Sequence, residues 1–237
     1  MEEKFCGIVL GGVSFGENDK ILNIFTLEKG VISAKIKGVK KAGAKLKFAS
    51  EPFCFAEFIF SVRGDMRTVI GASLIDSFYP IRENIHKYFA GGGVLEFVKR
   101  FYRENIAPDA AFFDTVDVLK KLAYGDDDFL AALIRYLVNA LKESGYSLHV
   151  DGNCDCGNPI EGRTFFDYRS GAFFCERCFD GVGREINNKT LKALVNVTKG
   201  ISEEHENKVK VIKLLDYYIE NRAEESLSSL KELIKIL

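Results

Sequence analysis

At 237 residues the chain is long enough for two or three small domains. Its composition, 47% hydrophobic and 28% charged, excludes a disordered chain, and no apolar run approaches the roughly 20 residues of a membrane span. A net charge of −1 excludes a uniformly basic protein, so any nucleic-acid surface must be a local concentration of Lys and Arg.

The first residues, MEEKFCGIVLGG, lack the basic and apolar regions of a secretion signal. This pattern predicts a cytoplasmic protein with no membrane partner. Thiols stay reduced in that compartment, so closely paired cysteines are more typical of metal ligands than of disulfides.

The N-terminal third reads as five strands rich in Ile, Val, Phe and Thr, which predicts a small antiparallel barrel. Turn residues separate the strands, with Gly16–Asp19 after the first and Arg63–Met66 before the last. The fourth is apolar on both faces, so we expect it to be covered twice, by the barrel interior and by another domain. The predicted strands are 5–13, 20–28, 30–38, 52–64 and 66–76.

Helical periodicity begins after Ser77, with apolar residues at 94, 97, 98 and 101. The strongest pattern predicts a helix over 129–144, with Asp126–Asp128 as N-cap and first-turn acids and Gly145 at its end. Further helices are predicted over 189–198, 204–221 and 224–236.

Four of the six cysteines form two close pairs, Cys154-x-Cys156 and, eighteen residues on, Cys175-x-x-Cys178. Two turns that each supply two thiolates are typical of a structural tetrahedral zinc site, one ion per chain. An iron–sulfur cluster, or an unmetallated or redox-active thiol set, remains an alternative.

The sequence contains no nucleophile with a plausible base, so we predict no catalytic residue and no enzymatic activity. Gly11–Gly16 superficially resembles a phosphate loop, but Glu17-Asn18 follows where Lys-Ser/Thr would be needed. Ala90–Gly93 is interpreted as a flexible break or a close helix contact.

Residues 34–48, AKIKGVKKAGAKLKF, hold six lysines and no acid. Lysines on one face and in the loops of a five-stranded barrel match the way OB-folds bind single strands, normally with aromatic partners. The alternative is a solvated edge that uses lysine to prevent strand pairing. The predicted DNA-binding residues are Lys35, Lys37, Lys40, Lys41 and Lys45, with Lys47, Arg63 and Arg67 as further members.

Several segments together resemble the RecO family of recombination mediators. They lie in the family's order along nearly the whole chain: Phe15–Leu22, Phe25–Gly30, Gly38–Lys41 with Lys45-Leu46, Gly145-Tyr146 and Ser170–Cys178. The first cysteine pair departs from the family's usual Cys-x-x-Cys-Gly, because Asn153 stands at its first position.

The resemblance implies an α+β multidomain protein. An OB-fold barrel would occupy 1–78 and a mostly α-helical domain 79–237, with an inserted four-cysteine zinc knuckle at about 150–182. The knuckle ligands would be Cys154, Cys156, Cys175 and Cys178.

The resemblance also implies a function in DNA repair and recombination without catalysis. The protein would bind single- and double-stranded DNA, anneal complementary strands and assist RecA loading with RecR on DNA coated by single-strand DNA-binding protein. It would be cytoplasmic and nucleoid-associated. Two alternatives from other classes stay open: a zinc-dependent enzyme acting on nucleic acid, and a zinc-stabilised protein-interaction adaptor.

Overall fold

The computed structural model describes residues 1–106, 109–125 and 128–237. The chain divides into two compact units, Met1–Ala123 and Tyr124–Leu237. In the described ranges, no helix combines the length and apolar composition needed to cross a bilayer.

The first unit is built on a closed five-stranded barrel with the order β1-β2-β3-β5-β4. Neighbouring strands are antiparallel except for β3 and β5, which close the barrel through a short parallel pairing of 34–36 with 67–69. The predicted barrel and its five strands are therefore confirmed. The strands are β1 Glu2–Phe15, β2 Asp19–Thr26, β3 Gly30–Ile36, β4 Phe55–Arg63 and β5 Met66–Asp76.

Every second side chain along the strands points into the barrel, and these side chains fill its interior. Ala56, Phe58 and Phe60 point inward from β4, and Leu22 and Ile24 do so from β2. The outward-facing Phe55 is half-buried, and its ring lies 6.4 Å from Phe78 and 6.0 Å from Phe112. The second covering predicted for this strand is thus supplied within the first unit.

Two α-helices follow the barrel among the described residues of the first unit: α1 over Ile85–Phe101 and α2 over Asp109–Tyr124. The Gly run does not break α1; instead a Cβ on Gly91 would lie 2.9 Å from the ring of Phe53. The close-contact interpretation is confirmed. Helix α2 was not predicted; its buried face includes Phe112, whose ring packs 5.4 Å from that of Phe25.

The second unit contains four helices among its described residues: α3 Phe129–Glu143, α4 Asn188–Thr198, α5 His205–Arg222 and α6 Ser228–Ile236. The Asp128 carboxylate accepts from the backbone N–H groups of Leu130 and Ala131, so the predicted N-cap is confirmed at this residue. Asp126 and Asp127 lie outside the described residues. All four helices match predicted segments to within a few residues at each end.

Between α3 and α4 the chain forms a three-stranded sheet of order β7-β6-β8. Its strands are β6 Thr164–Asp167, β7 Ala172–Cys175 and β8 Arg184–Ile186. The sequence predicted an inserted four-cysteine segment here but not its strands, because segments of three or four residues show too little periodicity.

Candidate nucleic-acid interface and cysteine cluster

A groove of about 630 Å³ lies on the barrel where β3 meets β5. Its apolar members include Phe15 and Met66, which keep 47% and 61% of their surface exposed. Lys35 and Arg63 line both this groove and a neighbouring one of about 620 Å³ that extends to Lys37 and Ile70. We call this region the β3–β5 surface; it offers apolar side chains with cations beside them.

Lys35 is held in place at the centre of this surface. Its Nζ lies 2.9 Å from Asp19 Oδ2 and 4.5 Å from the centre of the Phe15 ring. The pKa of Asp19 is lowered, first by the backbone N–H of Gly38, which donates to Oδ1 at 2.9 Å, and then by Lys35. Asp19 therefore ties the lysine to the start of the following loop.

That loop, residues 37–47, is the lysine loop. Val39 is buried and Leu46 partly buried against the barrel core, so both ends of the loop are pinned. The backbone N–H of Lys40 also donates to Asn18 O at 3.1 Å. Its five lysines are exposed and form no ion pair among the described residues: Lys37, Lys40, Lys41, Lys45 and Lys47.

The two predicted arginines differ in their surroundings. Arg63 is exposed at the β4–β5 turn and pairs with no acid in the described part of the chain. Arg67 is only 15% exposed, with Nε 3.0 Å from Glu3 Oε2 and NH2 2.9 Å from Glu104 Oε1. Burial acts to lower the pKa of Arg67, but the hydrogen bonds and charges of these two carboxylates together outweigh it and raise the pKa. A phosphate would have to compete with both.

The phenylalanines around the lysines differ in exposure. Phe53, Phe58 and Phe60, close to the lysines in sequence, are fully buried. The exposed ring beside Lys35 belongs to Phe15. The sequence did contain a signal for the exposure of Phe15. Val13 and Phe15 are two residues apart and therefore lie on the same face of β1, beyond the residues 2–8 that pair with β4, and both are exposed.

The cysteine pairs converge in the second unit. The sulfurs of Cys154, Cys156, Cys175 and Cys178 all lie within 4.8 Å of one another. Four thiolates around one zinc ion lie about 3.8 Å apart, since each Zn–S bond is about 2.3 Å long. The donor set and spacing therefore fit a tetrahedral metal site, and the Cys-x-Cys spacing brings both of its thiols to the cluster.

Backbone N–H groups polarise this cluster. The backbone N–H of Asn158 is the main cause that lowers the pKa of Cys156 to about 6, and that of Cys178 lowers the pKa of Cys175. Hydrogen bonds with Cys154, Cys175 and Cys156 raise the pKa of Cys178 to about 12. A bound divalent cation would displace the proton of this thiol.

Comparison with known proteins places this chain in a protein family. The family model described as "Recombination protein O N terminal" matches residues 1–78, and "Recombination protein O C terminal" matches residues 82–231. The chain belongs to the RecO family. The first match contains the β3–β5 surface and the lysine loop, and the second contains all four cluster cysteines.

Curated RecO proteins align along most of this chain. A protein named "DNA repair protein RecO" from Pelotomaculum thermopropionicum is 31% identical over 198 residues, which cover 81% of this chain and 77% of the relative. Its counterpart from Acetivibrio thermocellus is 28% identical over 193 residues, 81% of this chain and 77% of the relative. The protein of the same name from Anaeromyxobacter sp. strain K is 29% identical over 202 residues, which cover 83% of this chain and 79% of the relative.

The family models divide the chain between residues 78 and 82, whereas the compact units divide it after Ala123. The difference arises because α1 packs against β1 and β2 of the barrel. The boundary expected after residue 78 stays a prediction.

Proposed function

We propose that this RecO-family protein is a non-enzymatic, DNA-binding recombination mediator in DNA repair. It binds single- and double-stranded DNA through the barrel and anneals complementary strands. With RecR it assists the loading of RecA onto DNA coated by single-strand DNA-binding protein. Membership of the family supports these partners, and a cytoplasmic, nucleoid-associated location follows from the same role.

The observation that carries the DNA-binding part is the β3–β5 surface. Single strands are bound without sequence preference by aromatic side chains that stack on bases and by cations that follow the phosphates. Phe15 is an exposed ring on the barrel, and Lys37 and Arg63 are exposed cations beside the groove. The pinned lysine loop adds Lys40 and Lys41.

We further propose one structural zinc ion per chain at the four clustered cysteines. Four thiolates complete a tetrahedral shell and leave no position for water or substrate, as a catalytic zinc would need. This supports a mediator over a zinc-dependent enzyme. The metal would hold the 153–158 turn to the end of β7, where the Cys175 N–H already points to Cys154 Sγ at 3.5 Å.

Fluorescence anisotropy with labelled single strands tests the DNA site. The Lys40→Ala/Lys41→Ala variant should bind every sequence more weakly, and its salt slope, d log K/d log[salt], should be shallower by about 0.7 for each phosphate that a lysine no longer neutralises. The matched control is Lys99→Ala/Lys120→Ala, which removes two exposed lysines from α1 and α2 of the same unit. An unchanged salt slope in the first variant, or an equal weakening in the control, would remove the loop from the site.

A second variant tests the stacking part. Phe15→Ala should weaken binding by about tenfold, in line with about 1–3 kcal/mol for one stacked base. It should leave the salt slope unchanged, since no charge is removed. Phe48→Ala, which removes another exposed ring outside the groove, serves as control.

A further inference from the structure

A second cluster of cations and aromatic rings lies in the other unit, around α5. The guanidinium carbon of Arg184 lies 3.9 Å from the centre of the Tyr217 ring. Tyr168 meets the same ring edge-on, with centres 5.9 Å apart. Arg184 is exposed, so one face of its guanidinium rests on a ring and the other is open to solvent.

Backbone geometry holds this arrangement. Arg184 begins β8, where it pairs with Phe166 of β6, and Tyr168 directly follows β6. Gly183 allows the close approach of the two strands: its φ is +115°, and a Cβ there would lie 2.5 Å from Phe166 O. Tyr217 is fixed from the opposite side by its position in α5. Three separate elements thus present Arg184, Tyr168 and Tyr217 together.

The charges around the cluster favour an anion. Lys213 stands one turn before Tyr217 on the same face of α5 and is exposed. Neither Lys213 nor Arg184 forms an ion pair among the residues described. Two nearby acids are already engaged: Asp167 Oδ1 lies 3.3 Å from Arg169 Nε, and Glu185 Oε2 lies 2.8 Å from Arg163 NH2.

We infer that Arg184, Lys213, Tyr217 and Tyr168 form a second binding site for single-stranded nucleic acid. A base stacks on the open face of the Arg184 guanidinium, and Lys213 contacts an adjacent phosphate. The inference rests on the proposed function: annealing requires two strands to be held at once, and this site takes the second while the barrel holds the first.

A fluorescent reporter tests occupancy directly. The chain contains no tryptophan, so Tyr217→Trp creates a single tryptophan, which can be excited apart from the tyrosines and preserves the cation–ring contact. Addition of an oligothymidylate should quench its emission, whereas a sugar–phosphate chain of equal length without bases should not. Absence of quenching at saturating oligonucleotide would overturn the inference, as would equal quenching by the baseless chain.

A paired variant tests the role in annealing. Arg184→Ala/Lys213→Ala should slow annealing of complementary strands by about tenfold, because the second strand is deprived of one stacking partner and one phosphate ligand. Binding of one labelled strand, measured by anisotropy, should change less than about twofold, since the barrel site is intact. Lys142→Ala/Lys199→Ala removes two other exposed lysines of the same unit as control.

The outcomes separate the two proposals. Wild-type annealing speed in the Arg184→Ala/Lys213→Ala variant, or an equal slowing in the control, overturns the second site and leaves the barrel site untouched. Failure of the barrel site has a different signature: the Lys40→Ala/Lys41→Ala variant binds its first strand normally with an unchanged salt slope.

Discussion

Individual side chains on the barrel divide into those that are free to bind and those that hold the barrel surface together. Lys35 is bonded to Asp19, and Arg67 to Glu3 and Glu104. Arg63 and the loop lysines are exposed and unpaired in the described ranges. A basic residue in the sequence is therefore a candidate phosphate ligand only when the fold has not already given it a carboxylate.

Arg63 and Arg67 offer a matched test of this division. Arg67→Ala should lower the free energy of unfolding by about 1–3 kcal/mol, because two carboxylates lose their partner, and should leave DNA affinity nearly unchanged. Arg63→Ala should weaken DNA binding and leave stability nearly unchanged. Urea unfolding and anisotropy measure the two effects; a reversed pattern would assign Arg67 to the DNA site.

Asp19 gives the barrel a defined response to acid. Its pKa is lowered in the folded state, so its contribution to stability is present above the unfolded pKa and disappears as the pH falls through the folded value. Asp19→Asn should have a lower urea midpoint than the parent at neutral pH, since the bond to Lys35 loses its charge. Once the pH has fallen below the folded pKa of Asp19, which lies under the usual aspartate value, the two midpoints should converge. A gap that persists there would mean that Asp19 acts through packing instead of charge.

Among the secondary-structure elements, α3 is fixed at its start by one carboxylate with two roles. Asp128 caps the helix and pairs with Lys208 of α5, which is only 6% exposed. Burial lowers the pKa of Lys208, so its charge depends on this partner and on the carbonyl of Glu203, which accepts from its Nζ at 2.7 Å. The pairing joins the N-terminal ends of α3 and α5.

Two substitutions separate these roles. Asp128→Asn keeps the cap and removes the charge, and should cost about 1–2 kcal/mol. Asp128→Ala removes both, and should cost about 1 kcal/mol more, the usual value of an N-cap. Thermal or urea unfolding measures the difference. Equal destabilisation in the two variants would show that the cap contributes little here.

In the molecule as a whole, the first unit is held by a closed barrel and its apolar core. The 150–186 segment combines three short strands and the cysteine cluster with a few buried apolar side chains, such as Phe166 and Phe173. Metal removal should therefore act locally. A chelator should raise hydrogen exchange in β6–β8 and leave β1–β5 protected. Increased exchange throughout the barrel would contradict this.

Thiol labelling gives an independent readout at neutral pH. With metal bound, the four cluster thiols should resist alkylation, and a chelator should expose them. Cys54 should stay unlabelled in both states, because it is buried in the barrel and its pKa is raised to about 12 by burial. Mass spectrometry of the alkylated peptides checks this. Labelling of Cys54 together with the cluster would indicate global unfolding.

Local patterns in the sequence were sufficient for the barrel, for five of the six α-helices among the described residues, and for the grouping of the four cysteines. Strand alternation, helical periodicity and paired thiols are properties of short segments, so they can be read without knowing which segments meet. Helix α2 was missed although Asp109 stands in its first turn and Phe112, Val116 and Leu119 recur at helical spacing. Strands β6–β8 were missed because they are too short to show a periodicity.

Tertiary structure alone decided which side chains share a surface. Phe15 and Arg63 are far apart in the chain, and only the β3–β5 closure brings them to one groove. Contacts between distant segments likewise create the ion pairs of Arg67 with Glu3 and Glu104. They also place Arg184 on the ring of Tyr217. Sequence by itself determined the family, most of the secondary-structure elements and the supply of cations and thiols. Packing determined which cations remain free to bind, because charge pairing and burial are set by neighbours in space and not along the chain.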